Sequence, residues 1–455
     1  MQKHVKLNDV INLDIKRMGI NGEGIGYYEK LAIFVDKALP GENVDVEITE
    51  VYENRAVGNL KNINKKSKNR IEAFCPVYEQ CGGCQTQHFN YHAMLGQKKD
   101  ILLKSLDRYV KSYPIGIVKP TVGMENPMHY RNKATLPLRK VNGKNRFGMY
   151  QRGSNHFVPI EDCGVQHQKI NEVFSTLVGL MDKHAIDAYD KKTKKGFISH
   201  AVVRITQNLG EMQVSFIVPK RVSNIDVLIK DLVEFHPEIK SVYEVVNKED
   251  DAQSFFTDES YLLYGKDMIN EMLDGKSYSL KPEAFFQLNT YQADKFYQKM
   301  KTLSNLSGNE IVIDAYAGIA PISHYIYKEA KKVYAIEINK DAVESAKNSL
   351  KLNGINNVEV IQKDFKKALE TLNEKSIDVM LFDPPRTGLG SETIKLIKKY
   401  KPKRLVYGSC NPSTLAKDLS ELTSLYEIKE ITPFDMFPYT SLVESISLLE
   451  LKTAL

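Results

Sequence analysis

Ile311-Val-Ile-Asp-Ala-Tyr-Ala-Gly-Ile-Ala320 is an apolar run that stops on an acid, turns through a glycine and leads into a helix near Ile322. Glycine at 318 lets the backbone approach a bound molecule closely, and a helix start behind it offers free N–H groups. Only one glycine of a Gly-x-Gly pair is present, because Ala320 takes the second place. The stretch therefore draws its meaning from what repeats after it. Lys332–Glu337, Val358–Ile361, Asp378–Asp383 and Leu405–Tyr407 read as further strands, and the helical segment Asp341–Leu352 closes near Gly354. Such alternation from Asn289 onward predicts a parallel α/β sheet, with Leu442–Leu451 added as an antiparallel edge. Ligands gather at the carboxyl ends of strands in these sheets. Asp314, Glu337, Asp383 and Cys410 all fall there. Glu337 lies 23 residues beyond Asp314, where an acid can accept both hydroxyls of a ribose, and Asp364 lies near the expected place of an adenine.

Cys410 follows the strand Arg404-Leu-Val-Tyr-Gly-Ser409 and precedes Asn411-Pro412. Asn suits an N-cap and Pro the first helical position, so the thiol is placed beside a helix N-terminus. The partial positive charge there favours the reactive thiolate. Read singly, each of these residues has a plainer account: Glu337 as a solvated acid, Asp383 as a turn former before Pro384-Pro385, Cys410 as an inert half-buried thiol. Read together in one sheet, they favour an enzyme with a covalent step at a nucleotide-type site.

At 455 residues, 42% hydrophobic and 26% charged, the chain is expected to be soluble and to form several domains. No run approaches a membrane span, and Met1–Lys6 begins no signal sequence, so a cytoplasmic location is expected. Five cysteines in that setting suggest ligand or catalytic use. A net charge of +6 only weakly favours nucleic acid. Val5 to Ile63 shows short alternating strands broken by Gly19–Gly26 and Leu39-Pro-Gly41, the pattern of a small β-barrel. Asn62–Arg70 reads as a basic linker, either solvated or touching RNA. A mixed region follows, with a helix over Tyr91–Val110 and strands at Phe197–Ile205 and Met212–Val218. Cys75-x5-Cys81-x2-Cys84, with Cys163 as a distant fourth thiol, is closer to iron–sulfur spacing than to paired zinc spacing; zinc is the alternative.

Phe285-Phe-Gln-Leu-Asn289, Asp314-Ala-Tyr-Ala-Gly318, Ile336-Glu337, Phe382-Asp-Pro-Pro-Arg386, Gly408-Ser-Cys-Asn-Pro412, Asp435-Met-Phe-Pro438 and Val443-Glu444 occur in this order along the chain. Together they resemble the RNA uracil-C5 methyltransferase family, and within it the iron–sulfur-containing enzymes acting on 23S ribosomal RNA. Gly19–Gly26 with Phe34–Glu42 resembles the TRAM domain, a small OB-like RNA-binding barrel. The resemblance implies a Rossmann-like S-adenosylmethionine domain over residues 289–455, a TRAM barrel over 1–64 and a mixed α+β central domain over 65–288. Within the last, the helical part near 91–124 is expected to pack on the methyltransferase domain. It further implies S-adenosyl-L-methionine contacts from Gln287, Tyr316, Glu337 and Asp383, Cys410 as nucleophile and Glu444 as general base. A 4Fe-4S cluster on Cys75, Cys81, Cys84 and Cys163 is implied as well. For the substrate it implies stacking of the target uracil on Phe285. From His129-Tyr-Arg-Asn-Lys-Ala134 it implies phosphate contacts by Arg131 and Lys133, for which surface solubility is the plainer account. Ala320, Tyr439 and Leu442 depart from the commonest family residues.

The chemistry explains the residue types. Uracil C5 is a poor nucleophile until a thiolate adds at C6, and a carboxylate must then remove the C5 proton. The target uridine must be flipped out or already unpaired. The expected function is C5 methylation of uridines in 23S ribosomal RNA by a monomeric enzyme. The alternatives are a transfer RNA uracil-C5 methyltransferase and a non-catalytic RNA-binding or folding factor. Cytosine-C5 enzymes are disfavoured because the Asp383-Pro-Pro-Arg386 motif has no Cys, and exocyclic-amine enzymes because Arg386 stands where they need an aromatic.

Overall fold

The computed structural model describes residues 5–223, 225–248, 255–372, 374 and 376–453. The chain divides into two compact units. The first comprises residues 1–125, 385–388 and 409–447; the second comprises 126–384, 389–408 and 448–455. This division differs from a simple three-part reading along the chain, because the last strands of the C-terminal sheet contribute to both units.

In the first unit, strands Val10–Met18, Gly24–Tyr28, Leu31–Val35, Arg55–Lys65 and Asn43–Val51 close, in that order, into a barrel. Strict in–out alternation drives closure: Ile11, Leu13, Ile15, Val44, Val46 and Ile48 face one core, with polar residues between them outside. The expected linker is partly strand, since pairing runs to Lys65. Arg70 at its end is committed to the barrel. Its Nε donates to Glu42 Oε1 at 2.6 Å and its Nη2 to Oε2 at 2.8 Å. Burial pushes Glu42 up, but the Arg70 guanidinium and the Leu39 and Ser67 amides outweigh it and hold the carboxyl below its ordinary value.

Helix Tyr91–Tyr109 follows, capped by Asn90, whose side chain accepts from the Ala93 amide at 3.2 Å. It packs on helix Pro412–Leu422. Residues 117–122 then run beside strand Tyr426–Phe434, with backbone bonds from Lys119 to Ile431 (2.9 Å) and from Val122 to Pro433 (2.8 Å).

The second unit holds a seven-stranded sheet ordered Ser260–Gly265, Ile239–Val246, Met212–Val218, His200–Ile205, Lys133–Val141, Lys144–Tyr150 and Phe157–Pro159. The C-terminal sheet is ordered Val358–Gln362, Lys332–Glu337, Ile311–Ala315, Val379–Phe382, Arg404–Ser409, Glu444–Leu451 and Tyr426–Phe434. Its first five strands are parallel. The Leu451 amide donates to Lys403 at 2.9 Å, so the end of the last strand meets the start of Arg404–Ser409 and the two run antiparallel. The last strand is therefore not the edge; Tyr426–Phe434 lies outside it, flanked in turn by residues 117–122. Continuous burial of Val379–Phe382 and near-continuous burial of Arg404–Ser409 fit interior parallel strands, covered on both faces.

Candidate active site

At the carboxyl end of strand Ile311–Ala315, Asp314 is fully buried. Its Oδ2 accepts from the Ser323 amide at 3.0 Å and the Ser323 hydroxyl at 2.6 Å. These two bonds fold residues 314–323 back on themselves. The loop between them passes through three left-handed positions: Tyr316 (φ 60), Gly318 (φ 56) and Ala320 (φ 60). Ala320 thus adopts the backbone that a second glycine would take, and its departure from the glycine pair leaves the turn intact. Burial pushes the Asp314 carboxyl up to about 7, against the Ser323 bonds, and the charges of Asp383 and Glu337 add to the rise. Desolvation likewise pushes Asp383 up to about 6.

Glu337, partly covered at the end of Lys332–Glu337, spends its carboxylate on backbone amides. Oε2 accepts from Gly318 at 2.9 Å, and Oε1 accepts from Ile338 at 2.8 Å and Asn339 at 2.7 Å. It joins the Gly318 loop to the next helix. Tyr316 bonds through its hydroxyl to Thr393 Oγ1 at 3.0 Å and stacks on Phe365 at 6.1 Å. Asp364 caps helix Phe365–Thr371, accepting from the Lys366 amide at 3.0 Å.

Gln287 is buried, while Phe285 is 66% exposed on the same short segment. That segment is held from beneath. Asn132 Nδ2 donates to Gln287 O at 3.0 Å and to Thr290 Oγ1 at 2.8 Å, and the Asn132 amide donates to Leu288 O at 2.9 Å. Arg204, buried in strand His200–Ile205, donates to the Lys281 and Ala284 carbonyls. Lys133 also points inward: its Nζ donates to Pro282 O at 3.3 Å and lies 5.1 Å from the Phe256 ring centre. Burial, with the positive charges of Arg204 and Arg131 nearby, pushes its ammonium well below the ordinary lysine value. A lysine so placed supports the Phe285 segment, with its amine turned toward the Pro282 carbonyl. Arg131 Nε donates to the Lys133 carbonyl at 3.1 Å, so its guanidinium is partly spent on the same motif.

Cys410 and Glu444 both belong to the first unit. Cys410 is half-buried and lies between strand Arg404–Ser409 and helix Pro412–Leu422. The expected cap is present, with Asn411 Oδ1 accepting from the Ser413 amide at 3.0 Å and Asn411 Nδ2 donating to Arg386 O at 3.2 Å. Glu444 opens the last strand and is 6% exposed. Lys98 of helix Tyr91–Tyr109, which sequence reading missed, is fully buried and ion-paired with Asp435. A helical signal was available, since Met94, Lys98, Ile101 and Leu102 share one face.

Cys75, Cys81 and Cys84 lie half-buried in one loop, and the Gly83 amide donates to Cys81 Sγ at 3.4 Å. Cys163 lies in the second unit and is half-buried. Thiols are the right donors for iron or zinc. Among the described residues, however, no three His, Cys, Asp or Glu side chains gather closely enough to hold a metal ion.

A family model described as tRNA (uracil-5-)-methyltransferase matches residues 90–452, and the TRAM domain model matches residues 5–61. The chain belongs to that methyltransferase family. An uncharacterized RNA methyltransferase of Bacillus anthracis is 36% identical over 454 residues, 99% of each chain. One from Halalkalibacterium halodurans is 39% identical over 443 residues, 96% of this chain and 95% of its own. The Pyrococcus abyssi tRNA (uracil-54, C5)-methyltransferase, solved with S-adenosyl-L-homocysteine, superposes with a TM-score of 0.77 at 26% identity, covering 96% of this chain and 100% of its own. The protein is thus an RNA methyltransferase using S-adenosylmethionine, with an N-terminal TRAM barrel and a Rossmann-like methyltransferase fold. No helix among the described residues is long and apolar enough to cross a membrane.

Proposed function

We propose that this enzyme methylates C5 of uridine in 23S ribosomal RNA through a covalent bond from Cys410 to C6. The observation that carries the reading is Cys410 at a strand end, before an Asn411-capped helix, in the same compact unit as the buried Glu444. S-adenosylmethionine supplies an electrophilic methyl group, toward which Gln287, Tyr316, Glu337 and Asp383 are the proposed binding residues. The Cys410 thiolate adds to C6, the C5–C6 double bond opens, and its electrons move onto C5 and O4. C5 then takes the methyl group as the sulfonium carbon–sulfur bond breaks. Glu444 removes the C5 proton, the double bond re-forms, and the C6–sulfur bond breaks to release Cys410. Phe285, exposed on a segment fixed from below, offers a face for the flipped uracil. We further propose that Cys75, Cys81, Cys84 and Cys163 hold a 4Fe-4S cluster with no part in the chemical steps. Iron and sulfide analysis of anaerobically purified protein tests it; absence of both sinks it.

A second reading, action on transfer RNA, is favoured by the solved relative that superposes over nearly the whole chain. The deciding experiment offers labelled S-adenosylmethionine with unmodified 23S fragments and bulk transfer RNA, and reads the products by nucleoside mass spectrometry. Labelled 5-methyluridine in ribosomal fragments, lost on Cys410→Ala, is expected. Label confined to transfer RNA moves the substrate and keeps the chemistry.

A further inference from the structure

Lys98 is buried in mid-helix with nothing of its side chain exposed. An ammonium there costs several kcal/mol unless its three N–H groups are matched. They are. Its Nζ pairs with Asp435 Oδ1 and donates to the carbonyls of Phe437 at 3.2 Å and Leu442 at 2.7 Å. All three acceptors belong to segment 435–442, which ends just before Glu444. Burial pushes the Lys98 ammonium below its ordinary value, and the charge and hydrogen bond of Asp435, then the charge of Glu444, act against that and favour the protonated form.

The same segment is gripped from other sides within the first unit. Tyr439 adopts a left-handed backbone (φ 64), and its carbonyl accepts from the Gln85 and Thr86 amides at 3.0 and 3.1 Å. Its ring meets Phe74 at 5.0 Å and Tyr91 at 6.0 Å. Ser441 Oγ donates to the Ile20 carbonyl in the barrel's first turn at 3.0 Å. Val443 packs with Met18, Leu39, Phe89, Met94 and Ile101.

We propose that Lys98 is a positioning residue for Glu444: it fixes segment 435–442 and supplies the positive charge that keeps the Glu444 carboxylate ionised. The proposal rests on the Cys410–Glu444 reading above. Without the ammonium, the buried Glu444 loses a nearby cation, and burial favours the neutral carboxyl. A protonated or displaced Glu444 cannot take the C5 proton, whereas thiolate addition and methyl transfer do not need it. Loss of Lys98 therefore stalls the reaction after methyl transfer, with RNA still joined to Cys410.

The test uses the full-length enzyme, unmodified RNA and labelled S-adenosylmethionine, and separates denaturant-stable labelled protein–RNA complex from free 5-methyluridine. Glu444→Gln is expected to trap the complex and Cys410→Ala to abolish it. Lys98→Met is expected to trap the same complex, with product release slowed about 100-fold or more, the scale of a lost general base. Normal S-adenosylhomocysteine binding would show that the cofactor site is intact. If Lys98→Met does not fold, Lys98→Gln, which keeps a donor but no charge, replaces it in the same assay. A folded Lys98 variant that turns over normally, or that is slow without trapped complex while Glu444→Gln traps it, overturns the role of Lys98 alone. Failure of Glu444→Gln to trap complex overturns the Cys410–Glu444 reading, and this proposal with it.

Discussion

Segments 435–443 and 314–323 do the same work in the two units by opposite means. Each bends through a left-handed tyrosine, Tyr439 and Tyr316, and each is pinned by one buried ionisable group. In the first, Lys98 meets a carboxylate and two carbonyls, so its charge is matched within the fold. In the second, Asp314 receives, among the described residues, the Ser323 amide and hydroxyl, with two further acids, Asp383 and Glu337, adding negative charge. The difference teaches where each loop is finished. Segment 435–443 is complete in the folded chain and suits rigid placement of a base. Segment 314–323 is pinned by Asp314, whose ionisation is opposed by burial, and a cation placed beside it would favour that ionisation.

The contrast is tested hardest at Lys98. Lys98→Met leaves Asp435 buried without its cation and should cost about 3–5 kcal/mol, the range for breaking one side of a buried pair. Chemical denaturation followed by a probe in the first unit measures it. Replacing both partners, Lys98→Met with Asp435→Leu, should recover most of that loss because no charge is left stranded. If the double variant is as unstable as the single one, segment 435–443 is not held by charge matching and the comparison fails.

Much of this arrangement was legible in the sequence. The strand–helix alternation after Ile311, the small N-terminal β-barrel, the Asn411 cap and the strand-end acids follow from local rules of periodicity and capping, which need only nearby residues. What stayed hidden depends on partners far along the chain. Lys98 finds Asp435 at a sequence separation of 337 residues, and Arg204 reaches the Lys281 and Ala284 carbonyls some 80 residues away. A cation in an apolar strand or on an apolar helix face signals that a partner exists without naming it. Lys133 shows the converse. A basic motif reads as surface, and only the fold turns its amine inward toward Pro282. The edge assignment of Leu442–Leu451 failed similarly, because strand order is set by pairing partners and not by position in the chain.

A smaller effect separates the two loops by pH. Asp314 and Asp383 are raised to about 7 and about 6, so the folded chain binds protons that the unfolded chain has already released. Their contribution to stability is therefore full below the ordinary aspartate value near 4 and is lost as pH rises through 6 and 7. A positively charged ligand reverses the preference. S-adenosylmethionine binding should tighten as pH rises toward about 7 and level off above it, by up to about tenfold per unit where one proton is released. Titration calorimetry in two buffers of different ionisation heat measures that proton release. Asp314→Asn should flatten the profile over its upper part; an unchanged slope would mean that the loop's carboxyls do not sense the ligand.

The smallest expected change lies at Ala320. Its φ of 60 is a conformation that costs an L-residue about 1–2 kcal/mol, and glycine removes that cost. Two terms oppose the gain. Glycine loses about 0.5–1 kcal/mol more backbone entropy on folding. The Ala320 methyl is fully buried among Ala317, Ala335 and Ala346, where one such group contributes roughly 0.8 kcal/mol. The terms nearly cancel, so Ala320→Gly should leave both stability and S-adenosylhomocysteine affinity within about twofold of the parent. A larger gain in affinity would show that the alanine strains the loop away from its binding form. A larger loss in stability would show that the small alanine cluster, and not the Asp314–Ser323 bonds, holds this turn, leaving the second loop pinned by packing where the first is pinned by charge.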